Sequence, residues 1–161
     1  MRQSLRCRGS RGQALAEFAF VVPLLLILIF VIIEFGRFVF AYEVLNNAAR
    51  EGARYAIVHG SDSACPTGPM PGSTPSPLCD DPSGNAVKDR VVADAITLTL
   101  PTSDVNVSWP DLDNARGHLV TVTASYTFTP LIKFQIDFLG VRFSPIPSIN
   151  MSAESTLVIN Y

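Results

Sequence analysis

Gly12-Gln13-Ala14-Leu15-Ala16-Glu17, running straight into FAFVVPLLLILIFVII at Phe18–Ile33, is the stretch whose reading decides the architecture of this chain. Read as one helix, residues 14–33 make about 20 residues and span about 30 Å at about 1.5 Å per residue, the hydrocarbon thickness of a bilayer. The apolar run predicts a membrane-spanning helix. Glu17 then stands at the mouth of the span. A carboxylate in hydrocarbon costs roughly 2.5 to 3.5 kcal/mol on insertion scales, so it requires a compensating partner.

A partner is four residues away. A cut after Gly12 would place a new α-amino group on Gln13, on the same helix face as Glu17 and close enough to compensate its charge. Arg2, Arg6, Arg8 and Arg11 precede the span with no acidic residue among them, whereas Glu34, Arg37 and Glu43 mix on the far side. By the positive-inside rule the N-terminus stays cytoplasmic and everything beyond Ile33 faces outward. Two competitors share the basic-then-apolar pattern: a cleaved secretory signal and an uncleaved signal anchor. The first is disfavoured because the run exceeds a usual h-region of about 7 to 15 residues, and Glu34-Phe35-Gly36-Arg37 stands where a small-x-small site would be needed.

Composition fits a small membrane-tethered domain. Of 161 residues, the first third is leader and helix, which leaves about 100 residues, enough for one compact domain. The charged fraction is 16%, well below the soluble average of about 25%. Four of the 12 basic residues lie before Gly12, so eight remain against all 14 acids, a balance of about −6 after that point. Such a surface gives nucleic acid no basic footprint, and none is expected as a partner.

Beyond the span the helical pattern continues to about Val58 without proline. Its polar residues recur at Glu43, Asn47, Arg50 and Arg54, while Ala41, Leu45, Ala48, Gly52 and Ala56 form one row of mostly small residues and Phe38, Tyr42, Ala49 and Ala53 another. A helix over residues 14–58 would measure nearly 68 Å, about half of it outside the bilayer. Its small residues admit close approach, either by the chain's own sheet or by neighbouring helices. His59-Gly60 and the following Ser/Asp/Pro cluster end it.

Cys65 and Cys79 bracket a Pro/Gly/Ser-rich segment that cannot fold itself, while Cys7 belongs to the leader. Outside the membrane a disulfide is expected between Cys65 and Cys79, contributing roughly 3 kcal/mol in the chain-entropy model for a loop of about 15 residues. Two free thiols are the alternative, since the compartment is itself inferred. A metal site lacks further ligands.

Residues 85–98 carry Val87, Val91, Ala95 and Leu98 at helical intervals, with Ser83 or Asn85 as N-cap, and predict a second, shorter helix. Alternation follows: Val105, Val107 and Trp109; then Val120, Val122, Ala124, Tyr126 and Phe128; then Ile149, Met151, Ala153, Ser155, Leu157 and Ile159. Three strands with one apolar face need a cover, and the outer half of the long helix supplies it. The connection 130–147 is too apolar for a solvent loop; it folds over the sheet, touches the membrane interface or docks on a partner.

Signals for catalysis are weak. His59 and His118 sit at a helix end and beside Gly117, outside any nucleophile or metal motif. Asp111-Leu112-Asp113-Asn114 lacks the remaining spacing and terminal glutamate of a calcium loop and reads as a turn with solvated carboxylates. No phosphate cradle follows a strand, and Asn106-Val107-Ser108 and Asn150-Met151-Ser152 fall in strand sequence. No enzymatic activity, cofactor or metal is expected.

Gly12 to Phe18, the apolar run with Pro23, Glu34-Phe35-Gly36-Arg37 and Asn46-Asn47-Ala48-Ala49-Arg50-Glu51-Gly52-Ala53-Arg54-Tyr55-Ala56 together resemble the TadE-like proteins of the tight-adherence (Flp pilus) system, strongly over about residues 9–60 and elsewhere only in layout. The resemblance implies a pseudopilin or minor pilin. A prepilin peptidase would cut between Gly12 and Gln13, Glu17 would pair with a neighbour's free amino terminus, and the partners would be the bilayer, other pilin-like subunits and the assembly machinery. The location implied is the inner membrane, single-pass, with possible incorporation in a surface pilus. The fold expected is α+β: a long N-terminal helix packed on an antiparallel sheet of about three strands, with one further short helix. Its divisions are a leader (1–12), a transmembrane helix (13–33), the helix's outer continuation (34–59), a disulfide loop region (60–84) and a helix with strands (85–161). The alternative is an uncleaved, signal-anchored envelope binding module with an extracytoplasmic α+β domain.

Overall fold

A single helix, α1 (Ser10–Val58), carries the apolar run and continues past it with Pro23 inside. The structure is a computed structural model that describes residues 10–70, 79–131, 136–138, 141–143 and 147–160; Arg2, Arg6, Cys7 and Arg8 lie outside the described residues. Pro23 has no N–H to offer the carbonyl one turn back, yet the helix runs through it, as a helix surrounded by apolar side chains tolerates. The chain divides into two compact units, Met1–Arg37 and Phe38–Tyr161.

Within the second unit α1 covers a sheet of three antiparallel strands, β1 (Val105–Ser108), β2 (Leu119–Phe128) and β5 (Ile149–Val158), in the order β1-β2-β5. The register places Val107 opposite Val122 and Ala124 opposite Ala153, so the apolar alternation of all three strands falls on one face. Val105, Val120, Val122, Ala124, Phe128, Met151 and Ala153 are buried there. Val107, Tyr126 and Leu157 are half-buried, and Ile149, at the start of its strand, is exposed. Thr121, Thr123, Ser125 and Thr127 take the solvent face, where Thr121 bonds Thr156 at 2.9 Å and Thr127 bonds Asn150 at 2.8 Å.

The helix meets this sheet with the row predicted for it. Ala41, Leu45, Ala48, Gly52 and Ala56 are all buried, together with Ala49 and Ala53. Tyr42 of the second row instead remains exposed. Gly52 faces Val87, Val91 and Val122, and a Cβ there would collide with the Val91 side chain. The small residues therefore bring α1 close to the chain's own sheet and second helix. At the other end of the face, Phe38 and Phe128 meet edge to face with centroids 5.5 Å apart.

The second helix, α2 (Asn85–Asp94), is shorter than the 85–98 expected from spacing. The chain leaves it at Ala95, whose N–H still bonds Val91, because Thr97, Thr99 and Pro101 oppose continuation. Ala95 and Leu98 stay buried in the turn that follows. Its N-cap is neither Ser83 nor Asn85 but Gly84, at φ 67°, a left-handed position that glycine adopts at no steric cost.

The connection after Pro130, expected only as an apolar segment, contains a second, two-stranded antiparallel sheet, β3 (Ile136–Phe138) with β4 (Val141–Phe143), pairing Ile136 with Phe143. Three-residue strands are too short for alternation to reveal. The rest of that segment, 132–135, 139–140 and 144–146, lies outside the described residues.

Candidate assembly interface

The residues expected to govern processing and charge pairing all lie on α1. Gly12, Gln13 and Glu17 are exposed, and Gln13 and Glu17 share a helix face one turn apart. From Phe18 to Ile33 every residue is exposed except the half-buried Val22, and a Cβ at Gly12 would meet nothing within 4 Å. Fifteen of these sixteen positions are exposed among the described residues, an apolar surface that a lipid or helix environment would have to cover.

At the end of this run the structure forms an ion pair that was quoted in sequence only as part of a motif. Arg37 Nη1 donates to both carboxylate oxygens of Glu34 at 3.0 Å, and Glu34 is only 5% exposed. Opposite charges three residues apart at the end of an apolar helix were the available signal.

Farther along, the polar stripe emerges as expected. Glu43, Asn47, Arg50 and Arg54 are all exposed on the side away from the sheet. Arg90 of α2 binds Glu51 at 3.1 Å and Asp94 at 3.3 Å, so it holds both carboxylates nearest the stripe. Arg54 reaches Glu51 only at 3.8 Å and is largely exposed.

The far end of the helix is tied to the loops. His59 stacks on Tyr55 with ring centroids 4.0 Å apart, and its Nδ1 lies 2.8 Å from the Tyr55 carbonyl, one of the acceptors a helix C-terminus leaves without a backbone donor. Cys65 and Cys79 are joined by a disulfide, with Cα atoms 5.2 Å apart. Thr67 and Asp81 bridge in parallel beside it, and the Thr67 N–H bonds the His59 carbonyl. Asn114 is fully buried rather than solvated with its neighbours. Its side-chain amide donates to the Thr67 carbonyl at 3.0 Å, its N–H to Pro69 and its carbonyl accepts from Ser61. It thereby fastens the 60–70 loop to the turn before β2. Asp113 and Asp111 accept from the N–H groups of Ala115 and Leu119, as turn carboxylates do. His118 lies 3.7 Å from Asp113.

Asp81 does the work expected of an N-cap from three residues upstream of Gly84. Its partial burial by itself raises the carboxyl's pKa, but bonds from the N–H groups of Ala86, Asn85 and Ser83 and from the Ser83 hydroxyl outweigh this and hold it below its ordinary 3.8. The Ala86 N–H reaches it at 2.6 Å, and the start of α2 favours a negative charge. No group of three or more His, Cys, Asp or Glu able to hold a metal occurs among the described residues.

In comparison with known families, residues 12–54 fit the model of the TadE-like protein family. The matched segment opens at Gly12, contains Glu17 and the Glu34–Arg37 pair, and closes at Arg54, covering the apolar run and most of the outer helix. No curated protein and no solved structure matches significantly.

Proposed function

We propose that this chain, TadE-like over residues 12–54, is a minor pilin or pseudopilin, a structural or assembly subunit of a tight-adherence pilus, and not an enzyme. The observation that carries this reading is the coincidence of the family match with the one helix, among the described residues, that is long and apolar enough to cross a membrane. The chain would enter the inner membrane with its N-terminus inside and its α+β domain outside, in agreement with the arginines before Gly12.

A prepilin peptidase would cut after Gly12. Residues 10–13 are helical in the structure, so the bond must unwind to enter a protease, and a glycine in the first turns of a helix lowers that cost by roughly 1 kcal/mol. The amino group released on Gln13 would neutralise a carboxylate at Glu17, in its own chain or in a neighbour. An assembly register that pairs them is favoured over one that leaves a charge alone in low dielectric.

The first test is the N-terminal sequence and intact mass of the protein recovered from membranes of a host with its own peptidase. A start at Gln13 is expected; an intact leader would favour the signal-anchored binding module instead. Glu17→Ala is expected to insert normally and to reduce assembly into pili at least tenfold, measured by quantifying sheared surface filaments. Full piliation in that variant would remove the charge-pairing role.

A further inference from the structure

Within the outer unit, β2 runs down α1 towards the apolar run. Val122 lies against Gly52 and Phe128 against Phe38, while at the opposite end of the sheet the Asn160 N–H bonds the Ile57 carbonyl. Phe38 follows Ile33 by five residues on the same helix. That is about 7.5 Å at about 1.5 Å per residue, and the headgroup layer outside the hydrocarbon is itself about 5 to 7.5 Å thick. The chain therefore leaves β2 at Phe128 heading for the bilayer surface, and it re-enters the sheet from that side at Ile149.

The connection between those two points carries an amphipathic ribbon. β3 pairs with β4 in the register Ile136 to Phe143, Asp137 to Arg142 and Phe138 to Val141. Paired positions share a face and successive ones alternate, so Ile136, Phe138, Val141 and Phe143 fall on one face and Asp137 and Arg142 on the other. Two strands alone are marginal in water, and an apolar face of four positions needs a cover. The main sheet gives it no place to dock, because α1 covers the apolar side and Thr121, Thr123, Ser125 and Thr127 line the other. Leu139-Gly140 joins the two strands, where a hairpin tip in water favours Asn-Gly or Asp-Gly. Leu131 and Ile149, at the roots of the connection, are exposed, as are Val39 and Phe40 just past Phe38.

We propose that the β3–β4 ribbon is a second membrane contact, lying on the outer surface of the bilayer that holds the span, with its apolar face at the boundary of headgroups and acyl chains. Among the described residues β3 and β4 pair only with each other. Their outer edges keep the ribbon out of the hydrocarbon, where unpaired backbone groups are not tolerated, and so set its depth at the interface, where water still reaches them. Charge agrees with this placement. Residues 130–147 hold Lys133 and Arg142 against Asp137, a balance of one positive charge in a chain whose sum after Gly12 is acidic, and anionic phospholipid attracts that sign. A second attachment limits how far the outer unit pivots about the span.

This inference rests on the membrane insertion proposed above and not on entry into a pilus. Full-length Phe138→Trp is reconstituted into vesicles of mixed zwitterionic and anionic phospholipid, with acyl chains either plain or brominated near the headgroup. Flotation with the vesicles reads insertion of the span, and quenching is measured only on the floated fraction. The unsubstituted chain supplies the baseline, since its one indole, Trp109, adjoins the end of β1 paired with Thr121, away from Phe128. The added emission is expected to lie to the blue and to lose about half its intensity in brominated lipid, as suits a ring about 5 to 10 Å into the headgroup and acyl boundary. Arg142→Trp, on the opposite face, is expected to stay near the Trp109 level. Val141→Trp repeats the reading from the other strand if Phe138→Trp does not fold. Quenching no greater than that of Trp109, or equal at positions 138 and 142, would overturn the proposal. A blue-shifted but unquenched indole at 138 would overturn it too, in favour of cover by protein. A chain that fails to float would overturn the insertion and this inference together, whereas a floated, unquenched chain overturns this inference alone.

Discussion

Glu34 and Arg37 show how little sequence separation a structural ion pair needs. A nearly buried carboxylate that accepts from one guanidinium through both oxygens loses that charge partner if the arginine is removed. Arg37→Ala is expected to destabilise by about 1 to 3 kcal/mol, less than a fully buried pair because the arginine is partly in water, and Glu34→Gln by much less. Protease resistance of the membrane-inserted variants measures the difference. Asp81 acts through pH. Because its carboxyl titrates below 3.8 in the folded chain, the folded state holds its charge more firmly than the unfolded state does. That stabilisation is complete above pH 3.8 and is lost as pH falls through the lower folded value. Asp81→Ala is expected to cost about 1 kcal/mol at neutral pH, as the loss of a cap does, and to flatten this part of the acid dependence, read from urea midpoints of the detergent-solubilised chain. The Glu34–Arg37 spacing was visible in the sequence, whereas Asp81 did not stand out, since it acts through backbone N–H groups that only the folded chain assembles.

At the scale of elements, periodicity carried most of the information. The 3.6-residue rows of α1 and the two-residue alternation of β1, β2 and β5 both follow from which face must leave water, and a face of ten residues is long enough to read. What could not be read had other causes. The hairpin of β3 and β4 is too short to alternate, the end of α2 is set by a local contest among threonines, and the cap of α2 comes from an aspartate outside the usual position. Sequence also left two uses open for the small-residue row, and burial of Gly52 against Val91 decides for the chain's own domain. Gly52→Ala is consequently expected to destabilise by about 1 to 2 kcal/mol despite alanine's better helix propensity, because the valine it meets has a stiff side chain. A lowered thermal midpoint of the outer domain in detergent would verify this; an unchanged or raised one would mean the helix can shift outward.

Among the described residues, every buried hydrophobic side chain of the core belongs to the unit Phe38–Tyr161, which also holds the disulfide. The unit Met1–Arg37 exposes its apolar residues throughout the described run. A fragment of residues 38–161 exported to an oxidising compartment is expected to be soluble and to unfold cooperatively, checked by near-UV circular dichroism during a urea titration. Gradual, non-cooperative loss of signal would show that the apolar segment is needed for the outer fold. Of the proposed site, Glu17 and the Gly12–Gln13 bond are singled out by the cost of charge in hydrocarbon, a rule that needs no tertiary structure.

Trp109 is the chain's only tryptophan, and its indole ring packs against the backbone of Gly68 and Gly84, one on the disulfide-bearing loop and the other at the head of α2. The molecule thus has a single indole fluorophore, at the junction of loop, helix and sheet, and none in the apolar run. Emission excited selectively at the indole band reports on that junction alone, whatever lipid or detergent surrounds the rest. A red shift on reduction of the disulfide would mark the moment the loop lifts from the ring, without any label.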